Sequence, residues 1–154
     1  MGVGTSDPLV ALDVHYTGAA DPTTSLSTDE GGGEVVYFGT SSANLTAGAL
    51  YYLNSAGGWA SGSAAATGSG HNQLLGISLG TQPSTNGMLL KGYFNANSWY
   101  ADTFIKGAPV YVSTSSGFMS GVPPTGSDEY VRIIGYGTDT GKVIYFNPDS
   151  TYVE

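Results

Sequence analysis

The 154-residue sequence has no cysteine and only four basic residues, and both shortages exclude classes of function. Without cysteine there are no disulfides, thiolate metal ligands or cysteine nucleophiles. Proteins that bind nucleic acid by counterion release cluster their lysines and arginines, whereas the four here are scattered: Lys91, Lys106, Arg132 and Lys142. We therefore expect no nucleic-acid partner for this acidic chain, whose formal net charge is −8.

Long hydrophobic runs are also missing. No apolar stretch approaches the roughly 18–20 residues of a membrane helix, so we expect no membrane partner. The N-terminus has neither the basic nor the apolar region of a secretory signal, so no signal peptide is predicted.

The residues that the sequence does contain are typical of short strands joined by turns. Hydrophobic residues make up 40% of the chain and aromatics 12%, in short runs rich in β-branched and aromatic side chains. Glycine, serine and asparagine bound these runs, and patterns typical of helix are nearly absent. The sequence therefore predicts an all-β fold, either a small barrel or a sandwich.

An internal duplication organises this fold. Residues 48–62 resemble residues 107–121, and residues 74–77 resemble 133–136, both at an offset of 59. A Tyr-Phe pair frames the copies at positions 37–38, 93–94 and 145–146. We predict a β domain over residues 35–154, built from two β units at about 35–92 and 93–154. Pro109 should begin a strand or lie at an edge, and Gly58 and Gly117 should adopt positive φ in hairpin turns.

Residues 1–34 lie outside the duplication and are predicted to form an extended N-terminal arm that ends in a hinge at Gly31, Gly32 and Gly33. Residues 9–16 could form one strand. This segment is either a terminal tail with an edge strand or an arm that orders on a neighbouring subunit by strand addition. In the second case the candidate partner contacts are Leu9, Leu12, Val14 and Tyr16.

One stretch matches a catalytic pattern. Residues 76–80 fit G-x-S-x-G with Ser78 in the nucleophile position, but that pattern works on a sharp turn between a strand and a helix. Pro83 follows too soon for a long helix, and the aligned copy has Gly137 in place of Ser78. The only histidines, His15 and His71, have no neighbouring carboxylate in sequence. We therefore predict that the protein is not an enzyme.

The adjacent acids Asp29-Glu30 and Asp128-Glu129 raise two further possibilities, a glycosidase pair and a cation site. Both pairs lie among Gly, Ser and Thr, which is typical of solvated turns, and no calcium-loop motif is present. We expect no metal and no cofactor.

Trp99 and Tyr100 are adjacent aromatics found in only one of the two copies, because Thr40 and Ser41 occupy the aligned positions. Tryptophan and tyrosine are favoured at protein interfaces, so this pair is a candidate contact surface. The alternative is that Trp99 covers the join between the units.

Three stretches carry a family resemblance: Gly-Ala-Pro-Val-Tyr-Val (107–112), Val-Arg-Ile-Ile-Gly-Tyr (131–136) and the closing Val-Ile-Tyr-Phe-Asn-Pro-Asp-Ser-Thr-Tyr-Val-Glu (143–154). Over roughly residues 45–154 the chain resembles small structural proteins of tailed bacteriophages, namely capsid decoration (cement) proteins and related β-domains of phage fibres. The resemblance implies a non-enzymatic virion protein on the capsid surface, made in the host cytoplasm. Its implied partners are the major capsid protein and, in a homotrimer, itself.

The expected function is thus stabilisation of the assembled capsid by bridging neighbouring major capsid subunits. The alternative is a phage fibre or head-spike module that binds host-surface glycan through exposed Trp, Tyr and Asn. A hydrolase that uses Ser78 or an acid pair is a third hypothesis.

Overall fold

The computed structural model describes residues 2–3, 13–14, 26–41, 44–65, 69–138 and 141–154. At the N-terminus it gives backbone pairing alone, with β1 (Gly2–Val3) parallel to β2 (Asp13–Val14). Val14 of the predicted arm strand lies in β2, whereas Leu9, Leu12 and Tyr16 lie outside the described residues.

The other strands form one nine-stranded antiparallel sheet that curls into a half-barrel, so the all-β prediction with two duplicated units is confirmed. The strands are β3 (Gly31–Val36), β4 (Leu50–Leu53), β5 (Trp59–Ser61), β6 (Leu75–Ser78), β7 (Met88–Asn95), β8 (Pro109–Val112), β9 (Met119–Ser120), β10 (Ile133–Gly137) and β11 (Val143–Phe146). Their order is β5-β4-β6-β7-β11-β10-β8-β9, with β3 also paired to β7. The turn predicted around Pro83 is a single helical turn, α1 (Pro83–Asn86).

The duplication is visible in the strand register. Strand β4 pairs with β5 and β6 as β8 pairs with β9 and β10. Two pairs of the first unit recur 59 residues later: Leu50–Ile77 as Pro109–Tyr136, and Tyr51–Gly76 as Val110–Gly135. The offset read from the sequence is therefore also the offset of the backbone pairing.

The turns that precede β4 and β8 are built alike. Gly48 and Gly107 have positive φ of 84° and 72°, a backbone conformation that favours glycine. The Gly48 N–H donates to the carbonyl of Ser78 at 2.7 Å, and the Gly107 N–H donates to the carbonyl of Gly137 at 2.9 Å. Each glycine thus ties the start of its hairpin to the strand that follows the hairpin.

Strand β7 is shared by both units. Its first residues are the last strand of the first unit, where Leu89 pairs with both Val35 and Ile77. Its last four residues are the first strand of the second unit, where Tyr93 pairs with Tyr145. The two β units therefore share one strand and form a single continuous sheet.

A β-bulge separates the two halves of β7. Glu34 of β3 pairs with Lys91 but the next residue, Val35, pairs with Leu89, so Leu90 is skipped. One extra residue turns the following side chains to the other face of a strand. As a result both Leu89 and Phe94 point into the larger hydrophobic cluster, which we call the main core. The face of the sheet that points inward in the first unit therefore corresponds to the face that points outward in the second.

Two details of the sequence prediction are wrong. The three glycines at 31–33 are not a hinge but the start of β3, where Gly33 lies against Gly92 so closely that neither position has room for a side chain. The paired region therefore begins inside the predicted arm. In the first hairpin Gly57, not Gly58, has positive φ; Gly117 does as predicted, and Pro109 is the first residue of β8.

Candidate functional site

Ser78 is not an exposed nucleophile. Its side chain is fully buried, and its hydroxyl donates to the carbonyl of Gly80 within the same turn. Only a single helical turn follows, so the elbow geometry of a hydrolase is not formed.

His71 lies in the loop before β6, between two tyrosine rings. Its ring contacts Tyr130 and Tyr152 edge-on, with centroids 6.0 Å and 4.9 Å away. This half-buried position fits a packing role at the end of the chain. His15 lies outside the described residues.

In each of the two acidic pairs the glutamate bonds to the backbone of its own turn. Asp29 and Asp128 have positive φ of 62° and 69°. A carboxylate oxygen of Glu30 accepts from the Ser27 N–H at 3.0 Å, and one of Glu129 accepts from the Gly126 N–H at 2.7 Å. No group of three potential metal ligands occurs in the part of the chain that the structure describes.

Trp99 and Tyr100 pack against neighbouring residues and do not form an exposed surface. The Trp99 indole N–H donates to the carbonyl of Ala47 at 2.9 Å, and its ring packs against Phe118 at 4.8 Å. Tyr100 is only 4% exposed and meets Phe104 edge-on. The prediction of a contact surface assumed exposure, whereas Trp99 covers the join between the units, the alternative that the sequence left open.

A partly exposed aromatic surface lies on the outer side of the second unit, apart from the exposed Tyr37 and Phe38 of the first unit. We call it the tyrosine face, and it comprises Tyr93, Tyr145, Tyr136, Pro109 and Tyr111. The first four form one cross-strand row because Tyr145 pairs with both Tyr93 and Tyr136, and Tyr136 pairs with Pro109. Directly opposed residues share a face of a sheet. Tyr93 is 37% exposed and Tyr136 46%.

The same row in the first unit is buried. Its members, in the same order across the strands, are Val35, Leu89, Ile77 and Leu50. The last three are fully buried in the main core, where residues of the second unit cover them. The equivalent rows therefore differ between the units. The row of the first unit is aliphatic and largely buried, whereas the row of the second unit is mainly tyrosine and partly exposed.

A second feature is a cleft of about 420 Å³ between the units, which we call the junction cleft. It lies where β7 changes partner from β6 to β11, beside the bulged Leu90. Its polar and charged lining includes Arg132, Lys91, Glu34, Asn72, Gln73 and Asn147.

Arg132 is the only buried charged side chain of the described residues, at 5% exposure. Its Nε donates to the carbonyl of Asp149 at 2.7 Å, and its Nη1 donates to the carbonyls of Gly70 and Gln73 at 2.6 and 2.7 Å. Burial lowers the pKa of this guanidinium, but arginine stays protonated. The side chain therefore fastens the loop before β6 to the chain after β11.

The guanidinium has five N–H donors, and these bonds use three. The only buried side-chain nitrogen or oxygen without a partner in the described residues is an oxygen of Asp29. The Nη2 group of Arg132, which makes no hydrogen bond to them, is therefore in contact with solvent, and Arg132 is one of the residues that line the junction cleft.

A further cleft of about 500 Å³ lies beside β9 and holds the carboxylates of Asp102 and Glu129. Both are already used within the chain: Asp102 accepts from the Ser120 hydroxyl, and Glu129 caps its own turn. This cleft has no basic residue in its lining.

Comparison of the chain with protein-family models, curated proteins and solved structures gave no match. None of the described helices has the length and apolarity needed to span a membrane.

Proposed function

We propose that this chain is a non-enzymatic structural protein of a virus particle, a capsid decoration protein that works by contact. The tyrosine face is its docking surface, and the major capsid protein is its partner. By binding the assembled lattice but not free subunits, it stabilises the capsid by mass action.

The observation that supports this proposal most is the contrast between the two equivalent rows. A buried row must be apolar, and the first unit uses Leu50, Ile77 and Leu89. An open row at the same position would stay soluble with threonine or lysine, yet the second unit places tyrosines there. Tyrosine combines a large apolar area with a polar tip and is enriched where proteins meet.

The surroundings of the face favour a protein partner over glycan, the alternative function. The glycan hypothesis requires exposed asparagine with free hydrogen-bonding groups, but the amide nitrogen of Asn95 donates to the carbonyl of Leu26 at 3.0 Å and its oxygen accepts from the Asn97 N–H. Its hydrogen-bonding groups are thus used within the fold.

Co-sedimentation with undecorated capsids of the same virus tests the proposal. We expect saturable binding by the unmodified chain, and at least tenfold weaker binding by the double variant Tyr93→Thr/Tyr136→Thr. Threonine suits strands, so the variant should fold. Tyr37→Thr is the matched control, since Tyr37 is 59% exposed but outside the face. If the unmodified chain stays in the supernatant, or the double variant binds as well as the control, the proposal is wrong.

Trimer formation and the contacts of the N-terminal arm remain predictions. Native mass spectrometry of the free and capsid-bound protein measures the first. Deletion of residues 1–25 tests the contacts of the arm, and a longer deletion would also remove part of the folded domain. Leu26 is buried and the Asp29 N–H donates to the carbonyl of Asn95, so residues 26–30 belong to the folded domain.

A further inference from the structure

The junction cleft combines three features of a ligand site. Its volume of about 420 Å³ lies within the range of small-ligand pockets. It has an accessible donor on a rigidly held cation, Arg132 Nη2. It also carries unused side-chain amides at Asn72 and Asn147 beside an exposed leucine, Leu74.

The charge of the cleft is unusual for this protein. Two of the four basic residues in an otherwise acidic chain line it. Glu34 is the strand-register partner of Lys91 and lines the same cleft, so the lining carries two positive charges and one negative charge. Arg132 has no such partner among its hydrogen bonds, because all its acceptors are backbone carbonyls.

The nearest acid does not fill this role. Asp149 attracts Arg132 electrostatically, but its carboxylate accepts the Thr151 N–H at 2.8 Å and does not bond to the guanidinium. Asp149 is exposed and is not part of the cleft lining. No carboxylate among the described residues therefore forms a hydrogen bond that would neutralise the positive charge of Arg132.

We propose that the junction cleft binds a carboxylate presented by an acidic peptide segment of a protein partner. The carboxylate accepts from Arg132 Nη2 and is attracted by Lys91. The amides of Asn72 and Asn147 bond to the peptide backbone, and a neighbouring apolar side chain packs on Leu74. A peptide fits better than an acidic sugar because no aromatic ring lines the cleft for a sugar to stack on. This site does not depend on the tyrosine face or on the capsid assignment.

The test is an NMR titration of the full chain at constant pH and ionic strength. The probes are N-acetyl-Leu-Asp, its uncharged analogue N-acetyl-Leu-Asn-amide, and N-acetylneuraminic acid. We expect saturable shifts at the backbone amides of Gln73, Lys91 and Ser150 with the acidic peptide. Because a charged hydrogen bond is lost, the uncharged analogue should bind at least about tenfold more weakly.

Lys91→Gln and Lys106→Gln form a matched pair of variants, since both remove one positive charge and only Lys91 lines the cleft. We expect about threefold weaker binding from Lys91→Gln alone. The proposal is overturned by the absence of saturable shifts at the cleft, by equal binding of the uncharged analogue, by tighter binding of the sugar acid, or by equal effects of the two variants.

Discussion

Tyr93 and Tyr145 are direct cross-strand partners on the tyrosine face, with ring centroids 5.4 Å apart and planes inclined by 52°. The pair joins the last residues of the shared strand β7 to β11, so it lies within the second unit. A double-mutant cycle with Tyr93→Thr and Tyr145→Thr should give a coupling of about 0.5–1 kcal/mol in the free energy of unfolding. Additive effects in chemical denaturation would show that the rings do not interact.

Glycine at position 92 is required by the close approach of β3 and β7. A Cβ at Gly92 would overlap the carbonyl oxygen of Gly32, and the residue has φ of 147°. We expect Gly92→Ala to destabilise the fold by about 3 kcal/mol or more, measured by urea unfolding.

Gly107→Ala is the matched control for that variant. Gly107 also has positive φ, 72°, but a Cβ there meets nothing within 4 Å. It should therefore lose only about 1–2 kcal/mol, the cost of backbone strain. Equal losses for the two variants would contradict the close-approach argument.

Arg132 should matter to stability because it bonds to three carbonyls that otherwise lack these donors. We expect Arg132→Met to destabilise the fold by about 2–4 kcal/mol, since methionine keeps a long unbranched side chain but has no N–H donors. Arg132→Lys should recover only part of this, because a compact ammonium cannot reproduce the planar fork. Full recovery in thermal unfolding would mean that charge alone is sufficient.

The sequence contained the main architectural signal. The 59-residue offset appears in the register pairs of both units and in the turns at Gly48 and Gly107. These features were predictable because hairpins and their glycines are specified locally. The β-bulge at Leu90 was not, since it depends on how β3 pairs with β7 across more than fifty residues.

The bulge explains why the sequence pointed to Trp99 and Tyr100, which are packed in the structure. Without it, aligned positions of the two units should share an environment, and Trp99 and Tyr100 stood out as unique aromatics. The bulge turns opposite faces inward, so Ile77 is buried while its aligned residue, Tyr136, is exposed. The exchange of Ile77 for Tyr136 in the 59-residue alignment was the available signal for the tyrosine face.

Stability at alkaline pH should depend on Tyr130. Its side chain is fully buried and its hydroxyl donates to the carbonyl of Ser69 at 3.2 Å; burial raises its pKa well above the ordinary value of 10.0. As the pH rises above about 10, the unfolded chain loses this proton while the folded chain keeps it, so the free energy of unfolding falls. Its full contribution is present below that pH.

Tyr130→Phe should therefore cost about 1 kcal/mol at pH 8, from the lost hydrogen bond, and progressively less at higher pH. Urea unfolding of both proteins between pH 8 and 11 measures the difference, and Tyr37→Phe controls for removal of an exposed hydroxyl. We expect the curves of the unmodified chain and Tyr130→Phe to converge or cross as the pH rises. A constant gap across this range would mean that the Tyr130 hydroxyl ionises equally in both states, which is incompatible with its burial against Ser69.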